Sequence, residues 1–144
     1  MEVTALVNRR TGTAIATAVE LAATRTSRRR GLLGRDGLDP GAALVLTPCC
    51  AIHTAFMRFA IDVVFVDRGG EVLRIVRDLR PWRADSALRA HAVVELAAGR
   101  LRAGDLAVGD VVYLASAPRS SGTEGPAASS SLRATAARPA CPGS

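Results

Sequence analysis

Apolar and polar residues alternate with a period of two along much of this chain, and turn residues interrupt the pattern every few positions. Glu2 to Val7 alternates weakly, and Asn8-Arg9-Arg10-Thr11-Gly12 has the composition of a turn. Thr13 to Ala22 then puts Ile15, Thr17, Val19 and Leu21 on one side. Period two marks a half-buried strand, so these two segments predict a hairpin. Ser27 to Arg35 differs: Thr26 or Ser27 can cap one or two helical turns, with Leu32 and Leu33 as the apolar edge and Gly34 as the stop. Ala42 to Thr47 is a short buried strand stopped by Pro48. Ile61 to Asp67 and Glu71 to Arg77 flank Arg68-Gly69-Gly70, a second hairpin signal. Leu79 to Leu88 is a polar loop around Pro81 and Trp82. His91 to Leu96 is a strand, Ala97 to Leu106 a Gly-punctuated short helix or turn, and Val111 to Ala115 the last strand. Strands at this spacing, with so little helix, predict a mainly β protein: a compact antiparallel β sandwich or barrel with one or two short helices.

Composition sharpens the boundaries. From Ser116 onward Pro, Gly, Ser and Ala dominate, with a single leucine and no aromatic residue. Such a segment buries too little apolar surface to offset the entropy of ordering. The expected organisation is therefore one β domain over 1–115 and a disordered tail over 116–144, with Cys141 a free thiol in that tail. Hydrophobic residues reach 49 % but aromatics only 3 %, so the core must be filled by Val, Leu, Ala and Ile.

Charge narrows the partners. The net charge is +6, and all 19 basic residues are arginine. Arg25, Arg28, Arg29, Arg30 and Arg35 make a basic patch near the short helix, best read as a solvated face. Nucleic-acid binding wants stacking aromatics or a known reading module beside such a patch, and neither is present. An anionic small molecule or an acidic protein partner suits arginine better. No run of about 18 apolar residues forms a membrane span and no signal-peptide pattern opens the chain. Three cysteines, two of them adjacent, make no disulfide framework. A cytoplasmic protein is the expectation.

The ordered motifs Gly31-Leu32-Leu33-Gly34-Arg35, Cys50 to Val72, Val93 to Gly99 and Leu106 to Val112 together resemble the domain-of-unknown-function family 192 over roughly residues 14–114. The resemblance implies a compact β sandwich with short helical pieces and no settled activity. Two positions depart from the family pattern. Ala60 stands where proline is usual after Phe56-Met57-Arg58-Phe59, and Ala51 stands where serine is common after the motif cysteine.

Candidate chemistry concentrates in residues 50–62. As one extended strand, Thr54, Arg58 and Asp62 share a face and His53 lies opposite. A bulge near Ala60 would instead bring Asp62 to His53, and both registers stay open. Asp62 precedes Val63-Val64-Phe65-Val66, an apolar run that suggests burial on both faces, so its carboxylate needs a partner. Structural pairing outnumbers catalysis, which makes Asp62 first a lock on a turn and second a base or ligand-binding acid. The leading expectation is a binding domain without established catalysis, its ligand held by His53, Thr54, Arg58, Asp62 and Trp82. Trp82 is expected to turn inward as a lid, the alternative being an exposed contact surface.

The rival expectation is a hydrolase or transferase using Cys50, or a metal-bound water near His53 and Asp62. Cys50-x-x-His53 supplies only half of a zinc spacing, so no metal or other cofactor is assigned. His91, alone before an apolar strand, is expected at the surface or an edge.

Overall fold

The computed structural model describes residues 4–102 and 104–116. The predicted tail, apart from Ser116, and Cys141 lie outside them. Ten strands and one helix follow in chain order: β1 (Thr4–Asn8), β2 (Ala14–Ala16), β3 (Ala18–Ala22), α1 (Arg25–Arg30), β4 (Ala42–Leu46), β5 (Ala51–His53), β6 (Ile61–Val66), β7 (Val72–Leu79), β8 (Ala84–Ser86), β9 (Ala92–Ala97) and β10 (Val112–Ser116). They form a three-stranded sheet β10-β1-β2, a five-stranded sheet β3-β4-β9-β6-β7 and a two-stranded ribbon β5-β8. The protein is mainly β, a compact sandwich with no closed barrel. Among the described residues no helix is long and apolar enough to cross a membrane.

The five-stranded sheet is the centre of the molecule, and the alternation of its side chains builds two cores. One face carries Ala43, Val45, Val64, Val66, Val94 and Leu96, which pack on Leu6, Ile15, Ala16 and Val112 of the three-stranded sheet. The other face carries Leu44, Leu46, Ile61, Val63, Phe65 and Val93, covered by Leu32, Cys50 and Met57. β6 is therefore buried at every position, and β9 at all but its last. That double cover explains why Val63 to Val66 shows no alternation. Each fully buried Val or Phe contributes about 1.5–3 kcal/mol over an exposed one. Phe65, fully buried, supplies most of the aromatic volume in this core.

Four expectations change. The segment Thr13 to Ala22 is not one strand: it breaks at Thr17, where the amides of Thr17 and Ala18 both donate to the Gly41 carbonyl at 2.8 and 3.0 Å. The chain thereby leaves the first sheet, and β3 joins β4 in parallel, so the central sheet is mixed. The helix begins earlier than expected. Thr24 is its N-cap, accepting from the Ser27 amide while the Ser27 hydroxyl accepts from the Thr24 amide. That reciprocal Thr24-x-x-Ser27 box fixes the start, and Gly31, at φ 43, ends the helix. The loop Leu79 to Leu88 contains β8, whose short pairing with β5 is too brief to leave a period-two signature. Finally, residues 50–66 are two strands separated by a turn.

The expected hairpins are both present, β1–β2 and β6–β7. In the second, Gly70 has φ 86, and a Cβ there would collide with the Val112 carbonyl. Only glycine lets the hairpin tip close against β10.

Candidate functional site

The turn between β5 and β6 decides where the polar residues of the central motif go. Thr54 is fully buried and its polar atoms are spent on the backbone of the facing loop. Its hydroxyl donates to the Arg80 carbonyl at 2.6 Å and accepts from the Arg83 amide at 2.9 Å. Its own amide donates to the Arg83 carbonyl, and its carbonyl accepts from the amides of Met57 and Trp82. Asp62 is equally enclosed: one carboxylate oxygen accepts from the Asp78 amide at 2.9 Å, the other from the Leu101 amide at 3.1 Å. A buried carboxylate satisfied by two main-chain donors locks neighbouring turns.

The open question of register resolves differently from both alternatives. Ile61, Val63 and Phe65 face the core that holds Cys50 and Met57. Asp62 therefore points to the opposite side of the sheet, toward Leu101 in the other core. It joins neither His53 nor Arg58. Arg58 is at the surface, paired with exposed Asp36 at 2.6 Å. Trp82 points outward, 60 % exposed, and meets exposed Phe56 edge-on at 4.6 Å between ring centres. The inward lid is thus corrected: the φ of 63 at Trp82 turns its side chain away from the core. Of the five proposed ligand-binding residues, only His53 lines a groove.

That groove, of about 550 Å³, lies between α1 and β5. Its walls are apolar: Leu32, Leu33, Leu46, Ile52 and Met57. Arg25, Arg28, Arg29 and Arg30 stand along one side, His53 and Cys49 line it, and Glu95 of β9 is in its lining. None of those four arginines has a salt-bridge partner among the described residues. Arg28 is anchored by donating to the Ala23 carbonyl at 2.9 Å.

Glu95 is the residue that sequence reasoning missed. It is 5 % exposed, and its Oε2 has no hydrogen-bond partner among the described residues. Burial pushes its carboxyl up to about 7, against a smaller opposing pull from Arg35. Burial thus favours the acid form of Glu95, which can donate a hydrogen bond. The signal was an acidic residue in the middle of Val93-Val94-Glu95-Leu96, within a strand that reads as wholly apolar. The basic patch was visible too, but as a solvated face.

Cysteine chemistry moves as well. Cys50 is buried and is not a free thiol. Cys49 is free and half-buried, its thiol donating to the Ala51 carbonyl at 3.0 Å. Burial, with a further push from Glu95, raises its pKa and keeps it protonated. A protonated thiol is a weak nucleophile. With Asp62 behind the sheet, the described residues form no Cys50–His53–Asp62 array, and no cluster of three or more His, Cys, Asp or Glu is arranged to hold a metal.

His91 departs from its expected surface position. It is 5 % exposed, neither ring nitrogen has a hydrogen-bond partner among the described residues, and burial followed by Arg68 lowers its pKa. It lines a second hollow of about 410 Å³ with Asp67, Arg68 and Arg89. Its main chain explains the burial: the amide donates to Val66 and the carbonyl accepts from Cys49.

Known proteins share this architecture. A crystal structure from Sinorhizobium meliloti 1021, described as a candidate transcription regulator, superposes with a TM-score of 0.66 at 22 % identity, covering 77 % of this chain and 91 % of that one. A protein of unknown function from Novosphingobium aromaticivorans DSM 12444 gives 0.65 at 20 % identity, covering 76 % and 82 %. No curated protein matches. The family model for DUF192, described as "Uncharacterized ACR", matches residues 6–114. Matched over most of its described length, the chain belongs to the DUF192 family.

Proposed function

We propose that this protein is a small-molecule-binding domain whose ligand is an amphipathic anion seated in the groove between α1 and β5. The observation that carries the reading is four arginines, without salt-bridge partners among the described residues, beside a groove with mainly apolar walls. An apolar body would rest on Leu32, Leu33, Ile52 and Met57, and removal of its surface from water supplies roughly 25 cal/mol per Å². Arg25, Arg29 and Arg30 would receive a carboxylate or phosphate, where planar guanidinium groups bind bidentately. His53 stands at the β5 side to add a hydrogen bond. Within the notion of an anion-binding β domain, this reading keeps His53 and replaces Thr54, Arg58, Asp62 and Trp82 with residues that line one hollow.

Thermal melts with octanoate, decanoate and decanesulfonate, with decylamine as the cationic control, test the idea. Binding at a hundred times Kd stabilises by about 2.7 kcal/mol, a shift of several degrees in the melting temperature. The expected result is a rise with the anions and little change with the amine. Equal shifts for amine and anions, or none at all, would overturn it.

A further inference from the structure

We propose that the aromatic pair Phe56–Trp82, with Arg80 and Arg83 beside it, is a docking surface for an acidic protein segment that carries an apolar anchor. The inference stands apart from the groove and rests on different residues. Two of the chain's five aromatic side chains lie at this point, 73 % and 60 % exposed. Both residues adopt left-handed backbone, φ 64 at Phe56 and φ 63 at Trp82. Bulky side chains rarely take that conformation, which is strained and persists only where surrounding bonds enforce it. Buried Thr54 does the enforcing. It ties the Met57 and Trp82 amides to its carbonyl and both main-chain groups of Arg83 to its amide and hydroxyl. The fold thus spends a buried threonine to hold two strained turns whose product is an outward aromatic pair.

Charge selects the occupant. Arg80 and Arg83 are exposed and have no salt-bridge partner among the described residues. Among the described residues Arg58 is held by an exposed pair with Asp36, which is readily exchanged. Asp78 and Asp85 are the other acids nearby in the chain, and Asp85 is already paired with Arg74 at 2.9 Å, so arginines outnumber the acids left to answer them. A second copy docking here would bring like charges together. The chain's own segment 117–144 is also basic, with Arg119, Arg133 and Arg138 against Glu124. An acidic partner with a Leu, Phe or Trp side chain to lie against the pair is the complementary one.

The test is selection of random twelve-residue peptides displayed on phage against the full chain, followed by titrations read through Trp82, the only tryptophan. The expected winners combine Asp or Glu with an aromatic or leucine side chain and shift Trp82 emission to the blue. They should bind at least tenfold more weakly to both Phe56→Ala/Trp82→Ala and Arg80→Glu/Arg83→Glu, the first, which lacks the tryptophan, read by competition and both checked for an unchanged melting curve. Winners without acidic enrichment, or winners indifferent to both variants, would overturn the proposal. So would a uridine dodecamer that saturates Trp82 quenching at lower concentration than the peptides, or a concentration-dependent dimer that buries Trp82.

Discussion

Asp62 reaches across the sandwich edge to the main-chain amide of Leu101, thirty-nine residues later in the chain, at 3.1 Å. Its other carboxylate oxygen holds the amide of Asp78, which itself sits at φ 54. Removing the carboxylate would leave two buried or part-buried amides without acceptors, each worth about 1–3 kcal/mol. Asp62→Ala should therefore lower stability by about 2–4 kcal/mol in urea denaturation. Asp62→Asn should cost less, because one oxygen remains to accept.

Thr54 predicts a different pattern. Thr54→Val keeps the shape but removes the hydroxyl that serves Arg80 and Arg83. A loss of about 1–3 kcal/mol is expected, together with a changed Trp82 emission spectrum, since the loop that carries the indole loses its anchor. Thr54→Ser should restore both.

Glu95 should make stability fall as pH rises. Its folded pKa, about 7, lies above the unfolded value of 4.5, so between these limits the folded state binds more protons. The penalty is absent below about 4.5, grows through the window and is complete above about 7, with a size of about 3 kcal/mol. Glu95→Gln should flatten that part of the profile in urea melts from pH 4.5 to 8. An unchanged slope would mean that the carboxyl finds a partner in solution.

Asp110 acts in the opposite sense. Arg10 first, then the Ala107 amide and the Asn8 side chain, hold its carboxyl well below the usual carboxylate range. The stability it gives is present above the unfolded value of 3.8 and is lost as pH falls below it toward the depressed folded value. In acid titrations followed by circular dichroism, Asp110→Asn should unfold with a shallower dependence on pH below 4.

How much of this was legible in the sequence follows from the range of each interaction. β6 and β9 announced themselves because burial on both faces removes the alternation from Val63 to Val66 and from Val93 to Val94. The Asp67–Gly70 hairpin carried its own turn chemistry, and the motifs from Gly31 to Val112 carried the family. Asp62 was weighed first as a lock, and both its oxygens accept from main-chain amides. What failed was the assumption that residues 50–66 run as one strand. Phe56 turns the chain with a φ of 64, a conformation its residue type does not advertise, so faces counted from Cys50 mean nothing after it. The groove was hidden for a related reason. Glu95, Cys49 and the helix arginines come together only when α1 packs beside β5, which no local pattern records.

A methyl-resolved NMR titration of the full chain with decanoate tests the central claim most directly. Saturable shifts are predicted at Leu32, Leu33, Ile52 and Met57, weakened at least tenfold in affinity by Arg25→Ala/Arg29→Ala/Arg30→Ala, with Ile15 and Val72 in the opposite core unmoved. Shifts centred on Ile15 and Val72, shifts that ignore the arginine variant, or none at any methyl would contradict it.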